Sequence, residues 1–194
     1  METILKKSND VVQNTKNHII NTARKFFSEY SYLGVSMDDI ARKLKITKAA
    51  LYYHFAGKAE IYQEVLDSVF NDLSSVLAKA LDEPTVDKKL RKIIENYLEF
   101  GFKEKNLIKA LMLKLSPADA KITRRITQLI EQSDNLIQPI IKEAFKNRDK
   151  KADVQLLTSL LTSMMNGLLL EYSFLNKKID SKKVSNQIMA VILN

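Results

Sequence analysis

Residues 36–58 read SMDDIARKLKITKAALYYHFAGK, and this stretch decides the fold. Ser36 is suited to cap a helix, and Asp38 and Asp39 follow in the first turn, where the helix dipole favours negative charge. The spacing of the apolar residues predicts that this helix ends at about Leu44. The residues that it would bury, on one narrow stripe, are Ile40, Ala41 and Leu44.

A second short helix follows a three-residue break, residues 45–47. Thr47 can cap this helix, which would run from Lys48 to about Phe55. Leu51 and Phe55 lie four residues apart, so both should face the core. The residues that then point outward are Lys48, Ala49, Tyr52 and Tyr53. Two short helices joined by a tight turn, with a basic and aromatic outer face, predict a helix-turn-helix.

The same stretch resembles the DNA-binding module of TetR-family transcriptional regulators, and two positions depart from the family pattern. Lys45 stands where the family usually has a turn glycine, and Ala49 where it often has one. Lys45 either adopts a left-handed conformation, at a cost of roughly 1 kcal/mol, or the turn is slightly altered. The resemblance is carried by the order and spacing of Gly34, Val35, Ser36, Ile40, Ala41, Ile46, Thr47, Leu51, Tyr52, Tyr53, His54, Phe55 and Lys58.

The resemblance implies DNA contacts for eight residues. Lys48 and Ala49 would face base edges, and Tyr53 would touch both base and backbone. The alternative is that the aromatic residues only pack, but Leu51 and Phe55 already fill the inward stripe. Phosphate contacts position the protein and make binding sensitive to salt, whereas base contacts read sequence. The residues expected to hold phosphates are Ser36, Thr47, Tyr52, His54 and Lys58.

Composition supports an all-α protein that binds a polyanion. The 194 residues are 45% hydrophobic and include only 4 glycines and 3 prolines. Cysteine is absent, which agrees with a reducing cytoplasm, and no run of about 20 apolar residues predicts a membrane span. The net charge is +8, of which +5 lies within residues 1–58. This uneven charge is typical of a nucleic-acid-binding domain, although a solvated basic surface is an alternative.

Residues 1–58 are therefore predicted to form a three-helix DNA-binding domain. Residues 1–13 show no clear period and are expected to form a flexible arm. The first helix would run from about Asn14 to Tyr30, and Gly34 would close the following loop with a positive φ. A long helix from Lys58 to about Leu81 would lead out of the domain. The core-facing stripe of the first helix consists of Ile19, Ala23, Phe26, Phe27 and Tyr30.

Residues 59–194 are predicted to form a helical bundle for ligand binding and dimerisation. Its helices are expected over about 86–103, 107–115, 116–146, 152–176 and 181–193. Apolar residues cover most of the circumference of the helix over 152–176, so a partner should bury the remainder. Two helices from each of two subunits would form a four-helix interface, and the resemblance likewise implies a homodimer.

A small-molecule effector is expected within this bundle if the family pattern holds. Aromatic and methionine side chains line pockets but form ordinary core far more often. No buried charge stands out in the apolar runs, which favours a largely apolar ligand. The candidate lining residues are Tyr97, Phe100, Met112, Met164, Gly167 and Tyr172.

The sequence predicts no enzyme, no cofactor and no metal site. It has no glycine-rich phosphate loop, and HExxH and GxSxG signatures are absent. Glu95, Glu99 and Glu104 are interpreted as surface partners of Lys and Arg. The predicted function is a cytoplasmic, ligand-responsive repressor that binds a palindromic DNA operator as a dimer. The alternative is a helical interaction or scaffold protein whose helix-turn-helix lacks specific DNA binding.

Overall fold

The computed structural model describes residues 2–107, 119–146 and 153–193, with side chains described from Val12 onward. All regular elements in these ranges are helices, which confirms the all-α prediction. Their bounds are α1 Glu2–Tyr30, α2 Met37–Leu44, α3 Lys48–His54, α4 Lys58–Ala78 followed by a 3-10 turn Lys79–Asp82, α5 Val86–Lys103, α6 Ala120–Phe145, α7 Val154–Phe174 and α8 Ser181–Leu193. None of the described helices is long and apolar enough to cross a membrane. Of the helix expected over 107–115, only Leu107 is among the described residues, where it is helical and buried, and the start expected at Ser116 lies outside them.

The chain divides into two compact units. The N-terminal unit contains residues up to 68 together with the segment that ends at Arg125, and the remaining residues form the C-terminal unit. The domain boundary predicted from the sequence lies after residue 58, whereas this division falls after Ser68. Helix α4 therefore contributes its first half to one unit and its second half to the other.

The core of the N-terminal unit forms around helix α1. Ile19, Ala23 and Phe27 recur every four residues, as predicted, and all three are buried. The rings of Phe27 and Tyr62 pack edge to face at a centroid distance of 4.8 Å, and the Tyr32 and Tyr62 ring centroids are also 4.8 Å apart. Burial raises the pKa of Tyr62 to about 12, because the apolar surroundings disfavour the phenolate. This aromatic cluster joins α1, the loop after it and α4.

Two expectations for α1 were wrong. The helix begins at Glu2 rather than near Asn14. Residues 2–13 contain Glu, Leu, Lys and Gln, which have high helix propensity. Such residues can extend a helix even where the apolar residues do not recur with a helical period. Tyr30, placed on the buried stripe, is exposed because it stands at the last residue of the helix.

The predicted positive φ at Gly34 was also wrong. The left-handed residue of this loop is Ser31, with φ 62°, and its N–H donates to the carbonyl of Phe27. Gly34 is needed for a different reason, because a Cβ there would overlap the carbonyl oxygen of Tyr30. The loop thus depends on a close backbone approach at Gly34 and on an αL cap at Ser31.

Helix α5 lies at the centre of the C-terminal unit. Its predicted bounds, 86–103, are confirmed, and a substituent on Gly101 would overlap the side chain of Leu169. This interior glycine therefore allows α5 and α7 to approach closely. The buried core of the unit includes Leu90, Ile93, Ile94, Tyr97, Leu98, Ile137, Ile141, Leu161, Met165, Leu169, Ile188 and Met189.

Carboxylates on α5 hold helix α8 in register. The hydroxyl of Ser181 donates to Glu99 at 2.7 Å, and that of Ser185 donates to Glu95 at 3.2 Å. Glu95 is buried and also pairs with Lys92 at 3.4 Å. The interpretation of Glu95 and Glu99 as simple surface partners of Lys and Arg was thus incomplete, because their carboxylate oxygens accept hydrogen bonds from serine hydroxyls of α8.

Gly34→Ala should destabilise the N-terminal unit. The added methyl group must displace the Tyr30 carbonyl, and overpacking of this kind costs about 1–3 kcal/mol. We expect a lower urea midpoint for the loss of helical circular dichroism. Gly57→Ala is the matched control, because no atom lies within 4 Å of its new Cβ. Equal midpoints for the two variants would contradict the role assigned to Gly34.

Candidate nucleic-acid interface

A capping box fixes the start of helix α2. The Asp39 N–H donates to Ser36 Oγ at 3.2 Å, and the Ser36 N–H donates to Asp39 Oδ2 at 3.0 Å. Hydrogen bonds from Ser36 hold the pKa of Asp39 below its usual value. The Ser36 hydroxyl also donates to Asp39 at 2.5 Å, so it must give up this bond to donate to a phosphate. The predicted cap at Ser36 is confirmed.

The turn between α2 and α3 uses a left-handed lysine. Lys45 has φ 56° and ψ 36°, and the following N–H, of Ile46, donates to Ala41 at 3.1 Å. This is the usual way in which a helix ends on an αL residue. Of the two alternatives for Lys45, the structure therefore shows the left-handed residue.

Helix α3 presents the predicted outer face. Thr47 caps it by accepting a hydrogen bond from the Ala50 N–H at 3.1 Å. Leu51 and Phe55 are buried, at 0% and 2% exposure, which confirms the inward stripe. The side chains left outside include Tyr52, 47% exposed, and Tyr53, 78% exposed. Lys48 and Ala49 are exposed beside them, so one surface contains a cation, a small residue and two phenols.

His54 and Lys58 face partly inward. The His54 ring packs edge-on against Tyr53 at 5.1 Å, and its Nδ1 is buried with no hydrogen-bond partner among the described residues. The Lys58 ammonium donates to the carbonyl of Tyr32 at 2.9 Å and lies 4.3 Å from the centre of the Tyr32 ring. An ammonium has three donors, so Lys58 can keep this bond and still meet a phosphate.

Lys48 has an acidic partner that sequence reasoning missed. Its Nζ lies 2.9 Å from Asp38 Oδ2, and this hydrogen bond raises the pKa of Lys48. The sequence indicates for Asp38 only a place in the first turn of α2, where the helix dipole favours its charge. The contact joins residues ten positions apart, and no helical spacing predicts it.

The candidate effector residues are only partly brought together. Tyr97 is buried, and Phe100 and Tyr172 are half-buried. Met164 and Gly167 are exposed on α7, so neither lines the interior of the C-terminal unit. Met112 lies outside the described residues.

Two polar residues that the sequence did not single out belong with Tyr97. The Tyr97 hydroxyl donates to Asn166 Oδ1 at 2.8 Å. Burial raises the pKa of Tyr97 to about 12, and the charge of Asp134 acts in the same direction. Asp134 Oδ1 is itself buried and has no hydrogen-bond partner in the described ranges. Helices α5, α6 and α7 thus place three polar side chains in or beside an apolar core.

A helix-turn-helix with an exposed cationic face, followed by a separate helical unit, defines the class of helix-turn-helix DNA-binding proteins. Residues 19–65 match the model of the bacterial regulatory proteins of the tetR family. This match covers the helix-turn-helix and the helices beside it, so residues 19–65 form a DNA-binding module of the tetR family.

Curated relatives match part of the chain. IcaR of Staphylococcus epidermidis, the negative transcriptional regulator of the biofilm operon icaADBC, is 40% identical over 68 residues. The match covers 35% of this chain and 37% of IcaR. The chain thus spans about a third of the length of the curated relatives that it matches.

Two solved structures share the fold over nearly the whole chain. FadR from Bacillus subtilis, solved in complex with stearoyl-CoA, superposes with a TM-score of 0.78 at 16% identity, covering 91% of this chain and 96% of FadR. PfmR from Thermus thermophilus, a TetR-family transcriptional regulator, superposes with a TM-score of 0.68 at 24% identity, covering 90% of this chain and 96% of PfmR. Both likenesses show the fold.

Tyr53→Ala should weaken binding to duplex DNA without unfolding the protein. The phenol is largely outside the core, and loss of one contact to base and backbone costs about 1–3 kcal/mol, which is roughly 5- to 150-fold in affinity. Fluorescence anisotropy with labelled duplex at moderate salt measures the change. Tyr30→Ala is the matched control, since Tyr30 is 52% exposed but lies on α1. If Tyr53→Ala keeps full affinity, the assignment of this face is wrong.

Proposed function

We propose that this protein is a ligand-responsive repressor of transcription that binds a palindromic DNA operator as a homodimer. The observation that carries the proposal is the outer face of α3, where Lys48, Ala49, Tyr52 and Tyr53 stand outside a buried Leu51. The likeness to the negative regulator IcaR over 68 residues supports repression. A regulator of this kind would act in the cytoplasm, where the DNA is.

An apolar stripe on α7 supports the homodimer. Leu156, Leu160 and Met164 recur every four residues and are exposed, as is Val191 on α8. Contiguous apolar patches on a surface mark interaction sites, and a two-fold interface uses the same patch on both subunits. Such a dimer would present two copies of α3 to successive major grooves, about 34–36 Å apart.

Helix α6 provides the route by which a ligand could act on DNA binding. Its first residues belong to the N-terminal unit, where Asp119 accepts a hydrogen bond from the Tyr32 hydroxyl at 2.8 Å and Arg125 donates to Asp67 at 2.6 Å. From residue 126 onward the same helix belongs to the C-terminal unit. A ligand that favours one position of α6 would therefore shift the population of DNA-competent dimers.

The effector that we propose is a largely apolar small molecule with a polar end. Apolar residues dominate the core around α5, and Tyr97, Asn166 and Asp134 supply the polar groups. FadR, which shares the fold, binds stearoyl-CoA, and a long acyl chain has this character. Stearoyl-CoA is therefore the first probe.

Selection of bound fragments from genomic DNA should recover one palindrome. We expect a preference of about a thousandfold or more over unrelated duplexes, which separates a regulator from a scaffold protein. Leu160→Glu should yield a monomer in sedimentation and lose this preference, because a charge would enter the dimer interface. The control, Leu81→Glu, alters a similarly exposed leucine outside the stripe. Recovery of no common sequence would contradict the proposal.

Stearoyl-CoA should weaken operator binding, and Asp67→Asn should reduce this response. The variant keeps the size of the side chain but weakens the bond to Arg125 that ties α6 to the N-terminal unit. We expect unchanged operator affinity without ligand and a response at least threefold smaller in a gel-shift titration. Free coenzyme A is the ligand control, and Asp82→Asn, at an exposed residue of the 3-10 turn, is the variant control. A full response in Asp67→Asn would contradict the role of α6.

A further inference from the structure

The ion pair between Lys48 and Asp38 lies within the surface that would meet DNA. Lys48 is the first residue of α3, and its ammonium is 2.9 Å from the Asp38 carboxylate. The two side chains are 51% and 56% exposed. Pairs this exposed contribute little to stability, so the fold does not require the contact and it can be exchanged.

Asp38 is not needed for capping α2. The capping box uses Asp39, which meets both the backbone and the hydroxyl of Ser36 and lies 3.6 Å from Arg42. The partner shown for Asp38 is on the neighbouring helix instead. One carboxylate thus stabilises the start of α2, while the adjacent one neutralises a cation of α3.

A phosphate that binds Lys48 either displaces Asp38 or uses another of the three ammonium donors, and in both cases it lies close to the negative charge of Asp38. On unrelated duplexes, phosphates are the principal partners available to the ammonium, so repulsion from the Asp38 carboxylate opposes binding. On an operator, Lys48 can instead donate to neutral acceptors such as O6 and N7 of guanine, which tolerate a nearby carboxylate. The cost in binding free energy that Asp38 imposes is therefore larger for an unrelated duplex than for the operator.

We infer that Asp38 is a specificity-determining residue, which competes with phosphates for Lys48 and so suppresses binding to unrelated DNA. The inference rests on the proposed function. It adds a role for Asp38, a residue that is not among the proposed DNA contacts.

Asp38→Asn tests this inference because it removes the charge and keeps the size of the side chain. Affinity for an unrelated duplex should rise about tenfold, and affinity for the selected palindrome by less than threefold. The slope of log affinity against log salt on the unrelated duplex should steepen by about 0.9 per protomer, since one more counterion is released. A simple structural role for Asp38 would not change this slope.

Two controls isolate the contact. Asp87→Asn makes the same change of charge at an exposed position in the first turn of α5, in the other unit, and should leave both duplex affinities unchanged. In a Lys48→Gln background, Asp38→Asn should no longer steepen the slope. Thermal unfolding of each variant verifies the fold.

The outcomes separate the inference from the proposed function. If the wild type prefers its palindrome but Asp38→Asn changes neither the preference nor the slope beyond Asp87→Asn, the inference is overturned and the proposed function stands. A wild type with no preference among duplexes overturns the proposed function, and the inference with it. A reduced preference with a steeper slope supports both.

Discussion

The burial of Leu51 and Phe55 is the constraint on which the DNA-binding face depends. Helix α3 has 7 residues, and a helix this short does not persist in water by itself. Its position therefore comes from the two side chains that it places in the core of the N-terminal unit. Because these residues face inward, Tyr52 and Tyr53 must face outward. The packing of Leu51 and Phe55 thus determines which side chains form the DNA-binding face.

Two backbone features show how far turn chemistry can be predicted. Lys45 occupies the left-handed position that ends α2, where glycine would avoid the cost of a Cβ. Gly34, in contrast, has no positive φ and serves a close approach to Tyr30. A glycine in a loop predicts some backbone requirement, but whether that requirement is a dihedral angle or a short distance depends on neighbouring atoms.

Electrostatic partners were the least predictable part of the site. Lys48 was assigned correctly to the exposed face, but its contact with Asp38 required α2 and α3 to be packed first. The same is true of Lys58, whose ammonium reaches the Tyr32 carbonyl from 26 residues away. The buried oxygen of Asp134 beside Tyr97 was also missed, since a lone carboxylate on a long helix has no distinctive spacing.

The sequence by itself determined the all-α class, the two caps of the helix-turn-helix and the bounds of α5 and α8, because apolar period, capping residues and proline act over a few neighbouring positions. The tertiary structure alone decided which charges and hydroxyls meet, as at Asp119 with Tyr32 and Asp67 with Arg125. These contacts join residues 87 and 58 positions apart. Side-chain groups so far apart in the chain come within hydrogen-bond distance only when the helices that carry them have packed, and local sequence rules contain no term for that packing.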